Sequence, residues 1–448
     1  MTESNGKLNR SLKLRHIVFI GLAYMSPLAV FDTFGIVSEA TNGHVPIAYI
    51  FITIAILFTA YSYGKMSKIY PSAGSAYTYT RKTMNAHLGF LVGWAALLDY
   101  LFLPMINALL SSIYLSSGFP NVPSWVWILA TIIITTVLNV VGVKLAVIVN
   151  YLMVIIEFLV AAVFVILTIR KIVYGDFGHV FSMAPFYTNH MSIPAIFTGA
   201  SILAISFLGF DAVTTLSEET VQPKKNIPRG IFIIALIAGV FFTLVTYFMQ
   251  ALFPDVSVIK NIAGASPEIA KFVGGAFFQS IFIAGYVVAV LACGITQQMS
   301  ASRLLYAMGR DGVLPKKFFG YIQPRTGIPI FNILLVGVLA LPAMFLDLTK
   351  ATSLINFGAF TAFTFVNLSV IAYYLKHKEK LTARSLISTF ILPLLGLIFN
   401  IYLWFNLETT AKIVGIIWAG VGLIYLLYLT KFFRVRPPEF SYDDSASG

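Results

Sequence analysis

Apolar residues run through this chain in long blocks. They show neither the alternation of a half-buried strand nor the one-sided stripe of a surface helix. Twelve blocks stand out: residues 17–40, 46–66, 88–112, 123–142, 148–170, 193–219, 229–252, 276–300, 329–346, 352–375, 386–405 and 413–431. A helix needs about 20 apolar residues to cross a bilayer. Lipid offers the backbone no hydrogen-bond partners, so each block is expected to be helical. The pattern predicts an all-α membrane protein with twelve transmembrane helices joined by short loops. The organisation that follows is a tail at 1–16, five helices over 17–170, five more over 193–375, a final pair over 386–431, and a second tail at 432–448. The tail ends are polar and small, and disorder is expected there.

Two blocks are interrupted. The first carries Ser26-Pro27 mid-run, where proline removes an intrahelical bond and clashes with the preceding turn. The sixth carries Gly199 and then Ser206-Phe207-Leu208-Gly209. If the first ten helices form two repeats of five, these are corresponding positions. Matched interruptions of that kind point to a midplane binding site in secondary transporters. Prolines and glycines are also common in membrane helices for packing reasons alone, and that reading stays open at this point.

Charge sharpens the picture. The chain is 58% hydrophobic and 11% charged, with net charge +12, which excludes a water-soluble globular domain. A basic balance can signal nucleic acid, but here the basic residues sit between apolar runs, so no nucleic-acid partner is expected. With the N-terminus inside, 24 of the 30 Lys and Arg residues fall on cytoplasmic segments and 6 outside. That is a strong positive-inside signal, with both termini cytoplasmic in a cell membrane. The first fifteen residues are polar and basic, so no cleavable signal peptide is expected. The lone cysteine, Cys293, excludes an internal disulfide framework. The six histidines all fall near loops, and neither a metal nor a cofactor is expected.

The chemistry lies in four carboxylates inside predicted spans: Asp32 in the first, Asp99 in the third, Glu157 in the fifth and Asp211 in the sixth. No Lys or Arg lies well inside a span. A charge at the bilayer centre costs at least about 2.5–3.5 kcal/mol. Four of them imply a cavity, a bound cation or held protons, although a single one can be a protonated packing residue. An acidic cavity without basic residues repels an isolated anion and favours an amine or a proton. Aromatic residues cluster in the interrupted spans (Tyr24, Phe31, Phe34, Phe207, Phe210), where they can face an ammonium group, close over a ligand, or simply pack.

Three segments carry a family resemblance. Ser302 to Pro315 (SRLLYAMGRDGVLP), Gly209-Phe210-Asp211-Ala212-Val213 followed by Ser217-Glu218-Glu219-Thr220, and Pro71-Ser72-Ala73-Gly74-Ser75-Ala76-Tyr77 resemble signatures of the amino acid–polyamine–organocation transporter superfamily. Val30 to Gly35, Leu97 to Asn107 and Leu354 to Ala359 bring the chain nearest to its bacterial putrescine importers. The resemblance covers about residues 10 to 430. It implies a five-plus-five inverted repeat with interrupted helices 1 and 6, followed by two further helices. It places substrate where those helices unwind, at Tyr24, Ser26, Pro27, Leu28, Ala29, Phe31 and Asp32 on one side and Ile205, Ser206, Phe207, Leu208 and Asp211 on the other. N–H groups of the first break would hold a carboxylate and carbonyls of the second an amine, in keeping with the polarity of half-helix ends.

The chain departs from the superfamily in two places. Pro27-Leu28-Ala29 stands where amino-acid members carry Gly-x-Gly, which disfavours an α-carboxylate cradle and favours a diamine. Glu157 stands where many proton-coupled relatives have Lys, so that with Asp99 a carboxylate pair replaces a Lys–carboxylate pair. The expected function is a proton-coupled importer of a small amine-bearing solute, with putrescine or a related polyamine favoured. Asp99 and Glu157 would share the coupling proton, and the protein would act as a monomer or homodimer. The alternatives are a neutral or acidic amino acid permease, a membrane-embedded enzyme, which lacks an intramembrane histidine, and a non-transporting subunit linked to a partner by a disulfide, which the position of Cys293 inside the eighth span disfavours.

Overall fold

The computed structural model describes residues 12–438, apart from 72–74, 142–146, 176–179, 219, 311, 324–327 and 378–382. Glu219, Asp311, the core of the Pro71–Tyr77 motif and most of both tails lie outside the described residues. Among the described residues the structure is helical, without strands; two isolated bridges join Leu12 to Thr220 and Gln323 to Ile328.

Among the described residues, eleven helices are long and apolar enough to span a membrane. The second to fifth are Val45–Ile69, Ala86–Gly118, Ser124–Val141 and Val147–Tyr174; the seventh is Pro223–Leu252, and the tenth and twelfth are Leu348–His377 and Thr409–Leu429. The eleventh opens with a π turn at Ile387–Ile391 before Leu392–Phe405. The eighth lies in a helical stretch, Ala265–Arg310, broken at Gly275 with φ 71°. Only glycine takes that backbone conformation freely, so the spanning part begins where the apolar run does. The ninth is shorter than its apolar run: helix Ile330–Leu339 tightens into a 3₁₀ turn at Leu341–Met344, with Pro342 ending the α-helical bonding.

The first span is helix Leu14–Met25, a 3₁₀ turn Pro27–Phe31 and helix Phe34–Ala40. Ser26, between the first two, adopts φ 53° and ψ 113°, which no helix accommodates. The sixth is helix Ile193–Leu203, a 3₁₀ turn Ala204–Phe207, and a second 3₁₀ stretch Ala212–Glu218. Gly209 links the two turns at φ 105°. Side chains satisfy backbone groups that the breaks release. Ser206 Oγ donates to Ala29 O at 3.3 Å, Ser266 Oγ to Phe31 O at 2.8 Å, and Asn356 Nδ2 to Ser201 O at 2.8 Å. Unpaired backbone in lipid is costly, so the two breaks fit only because neighbouring helices supply partners.

Candidate functional site

The two breaks meet around a small central cavity of about 50 Å³. The first span contributes Tyr24, Ser26, Ala29 and Asp32 to its wall, and the sixth Ile205 and Leu208. The third span adds Asn107 and the eighth adds Tyr286, Cys293 and Gln297. A wider cavity of about 210 Å³ adjoins it, sharing Tyr24, Cys293 and Gln297. Phe19 and Ile20 line this second space, so it extends toward the face that carries the N-terminal tail. Neither cavity is lined by a lysine, an arginine or a histidine.

Glu157 reaches from the fifth span into the first break. Its Oε2 accepts from Ser26 Oγ at 2.5 Å and from Leu28 N at 3.3 Å. It is 4% exposed and lines the wider cavity. The break's N–H group and hydroxyl are thus already engaged by a carboxylate belonging to the protein. Asp32 lies on the other side of the break, 8% exposed, and accepts a short hydrogen bond from Tyr286 Oη.

Asp99 and Glu157, paired in the sequence reading, have different surroundings: Glu157 lines the wider cavity and Asp99 lines neither. Asp99 Oδ1 is buried without a hydrogen-bond partner, and Asp211 Oδ2 accepts from Tyr63 Oη at 3.1 Å. Neither Asp99 nor Asp211 lines the two cavities. Pro27, Leu28, Phe31, Ser206 and Phe207 are buried behind the central cavity and form its supporting layer.

On the face opposite the tail the site is closed by rings. Phe31 packs against Phe164 and Phe282 with centroids at 4.8 and 5.0 Å, and Tyr114 stacks on Tyr286 at 3.5 Å and 6°. Below the sixth-span break, Phe210 meets Tyr63 and Phe363 at 5.8 and 5.2 Å. Tyr24 Oη bonds Ser300 Oγ at 3.0 Å, tying the first span to the eighth beside the cavity.

Among the central cavity's residues not singled out from the sequence as site residues, four carry polar or thiol groups: Asn107, Tyr286, Cys293 and Gln297. Asn107 Nδ2 donates a short bond to Gln297 Oε1. A signal for the others exists, because Tyr286, Val290, Cys293 and Gln297 recur at helical spacing on one face of the eighth span. It is hidden because that span is apolar on every side.

A profile of the amino acid permease family matches residues 16–432. The chain is 46% identical to the "Low-affinity putrescine importer PlaP" of Escherichia coli strain K12, over 99% of this chain and 98% of that protein. It is 24% identical to the "Branched-chain amino acid permease BcaP" of Bacillus subtilis, over 97% and 96% respectively. A solved manganese transporter of Eremococcus coleocola aligns with TM-score 0.53 at 11% identity, covering 97% of this chain and 99% of that one, a likeness of fold alone. With the interrupted spans, the buried carboxylates and a family match over nearly its whole length, the chain belongs to the amino acid permease family of multi-pass membrane transporters.

Proposed function

We propose that this transporter imports putrescine or a closely related diamine, using the proton gradient. One observation carries the reading: Glu157 occupies the first break as a built-in carboxylate. An amino acid substrate brings a carboxylate that needs that N–H group and hydroxyl. A diamine brings none, and meets instead two carboxylates, Asp32 on the central cavity and Glu157 on the wider one that adjoins it. The 46% identical relative named as a putrescine importer supports the same choice. One ammonium group is assigned to Asp32 and Tyr286, the other to Glu157 and the sixth-span carbonyls near Ile205 to Leu208. The termini are assigned to the cytoplasm from the distribution of basic residues, which makes the ring-closed face external and the wider cavity an inward exit.

Coupling is assigned to protons carried by Asp99 and Glu157, with Glu157 also serving as substrate counter-charge. Sodium is disfavoured because the eighth span carries Thr296 and Ser300 four residues apart and no adjacent pair of hydroxyls to hold the ion. Purified protein in proteoliposomes, offered labelled putrescine, glutamate and serine, tests both statements. Putrescine uptake should exceed the others, collapse with a protonophore and survive replacement of sodium by choline. Asp99→Asn should keep putrescine counterflow and lose pH-driven accumulation. Preferential uptake of serine or glutamate overturns the diamine reading, and strict sodium dependence overturns the coupling.

A further inference from the structure

A second cavity, of about 600 Å³, opens on the face that carries the N-terminal tail, far from the substrate site. Lys65 and Lys68 at the end of the second span line it, together with Lys224, Lys225 and Arg229 at the start of the seventh. Ser388, at the start of the eleventh, closes the third side. Among the described residues none of the five cations forms an ion pair; Lys65 Nζ has only Ser388 Oγ at 3.4 Å and the Tyr61 ring at 5.7 Å.

Basic residues on this face are expected from topology alone, but topology does not gather five of them around one hollow. Each like-charged neighbour costs Coulomb energy that an unfilled cavity does not return. The placement on the seventh helix adds to it. Lys224 and Lys225 lie in the first turn of Pro223–Leu252, where the helix dipole is already positive and cations are disfavoured. The two spans are held close at this point because residue 64 is glycine: a Cβ there would lie 3.2 Å from Pro228 Cβ. Small-residue contact therefore brings the second-span lysines to face the seventh-span cations.

An exposed apolar row leads away from the cavity along the seventh span. Phe232, on its wall, begins a row with Leu236, Val240 and Leu244, one helical turn apart and 42%, 42%, 60% and 49% exposed. A free anion has no use for such a row, whereas an acyl chain lies along it. We propose that this cavity seats the headgroup phosphate of an anionic phospholipid, with an acyl chain lying along the exposed row of the seventh span. Basic pockets between spans on this face suit such headgroups. The inference is independent of the substrate.

The test uses the full chain purified in neutral detergent. Native mass spectrometry measures retention of phosphatidylglycerol against phosphatidylcholine, and thermal unfolding measures the shift each gives. The wild type should retain phosphatidylglycerol at least tenfold better and gain stability only from it. Replacing Lys224, Lys225 and Arg229 together by Gln should bring retention down to the phosphatidylcholine level. Replacing Lys316 and Lys317 by Gln, exposed charges on the same face outside the cavity, should change nothing. Should the triple variant not purify folded, Arg229→Gln and Lys65→Gln singly should each weaken retention severalfold. Equal retention of the two lipids, undiminished retention in the cavity variants, or equal loss in the Lys316/Lys317 control overturns the proposal. A stabilisation by inorganic phosphate alone as large as that by the lipid overturns it too, since the occupant would then be a free anion.

Discussion

Replacing Glu157 by Gln keeps the shape of the side chain and removes its charge. A glutamine carbonyl oxygen can still accept from Ser26 Oγ and Leu28 N, so the first break should keep its conformation. What is lost is attraction for a substrate ammonium. Two unit charges about 5 Å apart at an effective dielectric of about 20 attract by about 3 kcal/mol. That corresponds to about two orders of magnitude in affinity. Putrescine uptake into proteoliposomes should therefore show KM raised about a hundredfold, with folded yield unchanged. Glu157→Ala makes the complementary change by vacating the Leu28 N–H and the Ser26 hydroxyl. Ornithine, which is putrescine bearing a carboxylate, should then compete at least tenfold better relative to putrescine than it does against wild type. A KM within threefold of wild type for the Gln variant, together with unchanged ornithine competition in the Ala variant, would refute the view that Glu157 stands in for a substrate carboxylate.

The remaining predictions are shorter. Asp32→Asn should abolish putrescine uptake while the purified protein elutes as a folded species, and Tyr286→Phe, which removes the hydroxyl that bonds Asp32, should weaken uptake about tenfold; wild-type rates in Asp32→Asn would make that residue structural. Gly209→Ala should lower stability by at least about 1–2 kcal/mol, because an L-residue is strained at φ 105° and its Cβ would lie 3.0 Å from Tyr24 Cδ1; an unchanged thermal midpoint would show that the sixth-span break tolerates a side chain.

The transmembrane framework was legible because lipid leaves the backbone few choices. Apolar length alone located the spans, and Pro27 and Gly209 marked the breaks because each disables helix bonding locally. Gly275 is an instructive case. The apolar run begins at 276, and the helical stretch reaches ten residues further back before turning at a glycine. Hydropathy places the ninth span but does not report that its end tightens from α to 3₁₀ bonding at Leu341–Met344, where Pro342 removes a donor. Tertiary placement was less legible. The seal of Phe31, Phe164 and Phe282 draws on three spans, and nothing in the spacing of one helix reports which ring of another it meets.

The carboxylates show where such reading stops and why. Each was visible as a costly charge in an apolar run, and the cost argument correctly required that something compensate it. It could not name the compensation, because the partners lie far away in the chain. Glu157 finds Ser26, 131 positions earlier, and Asp32 finds Tyr286, 254 positions later. Pairing Asp99 with Glu157 rested on helix proximity in a related fold. In this chain the first break offers Glu157 a hydroxyl and an N–H group, while Asp99 keeps one buried oxygen unpaired and lines neither cavity. The separation has a functional consequence. Under the proposed coupling, Glu157 on the cavity wall can meet the cargo as well as carry a proton, while Asp99, away from both cavities, can gain or lose a proton without touching cargo. The interrupted sixth span joins the two regions, since its Ile205–Leu208 segment lines the central cavity while Asp211 accepts from Tyr63.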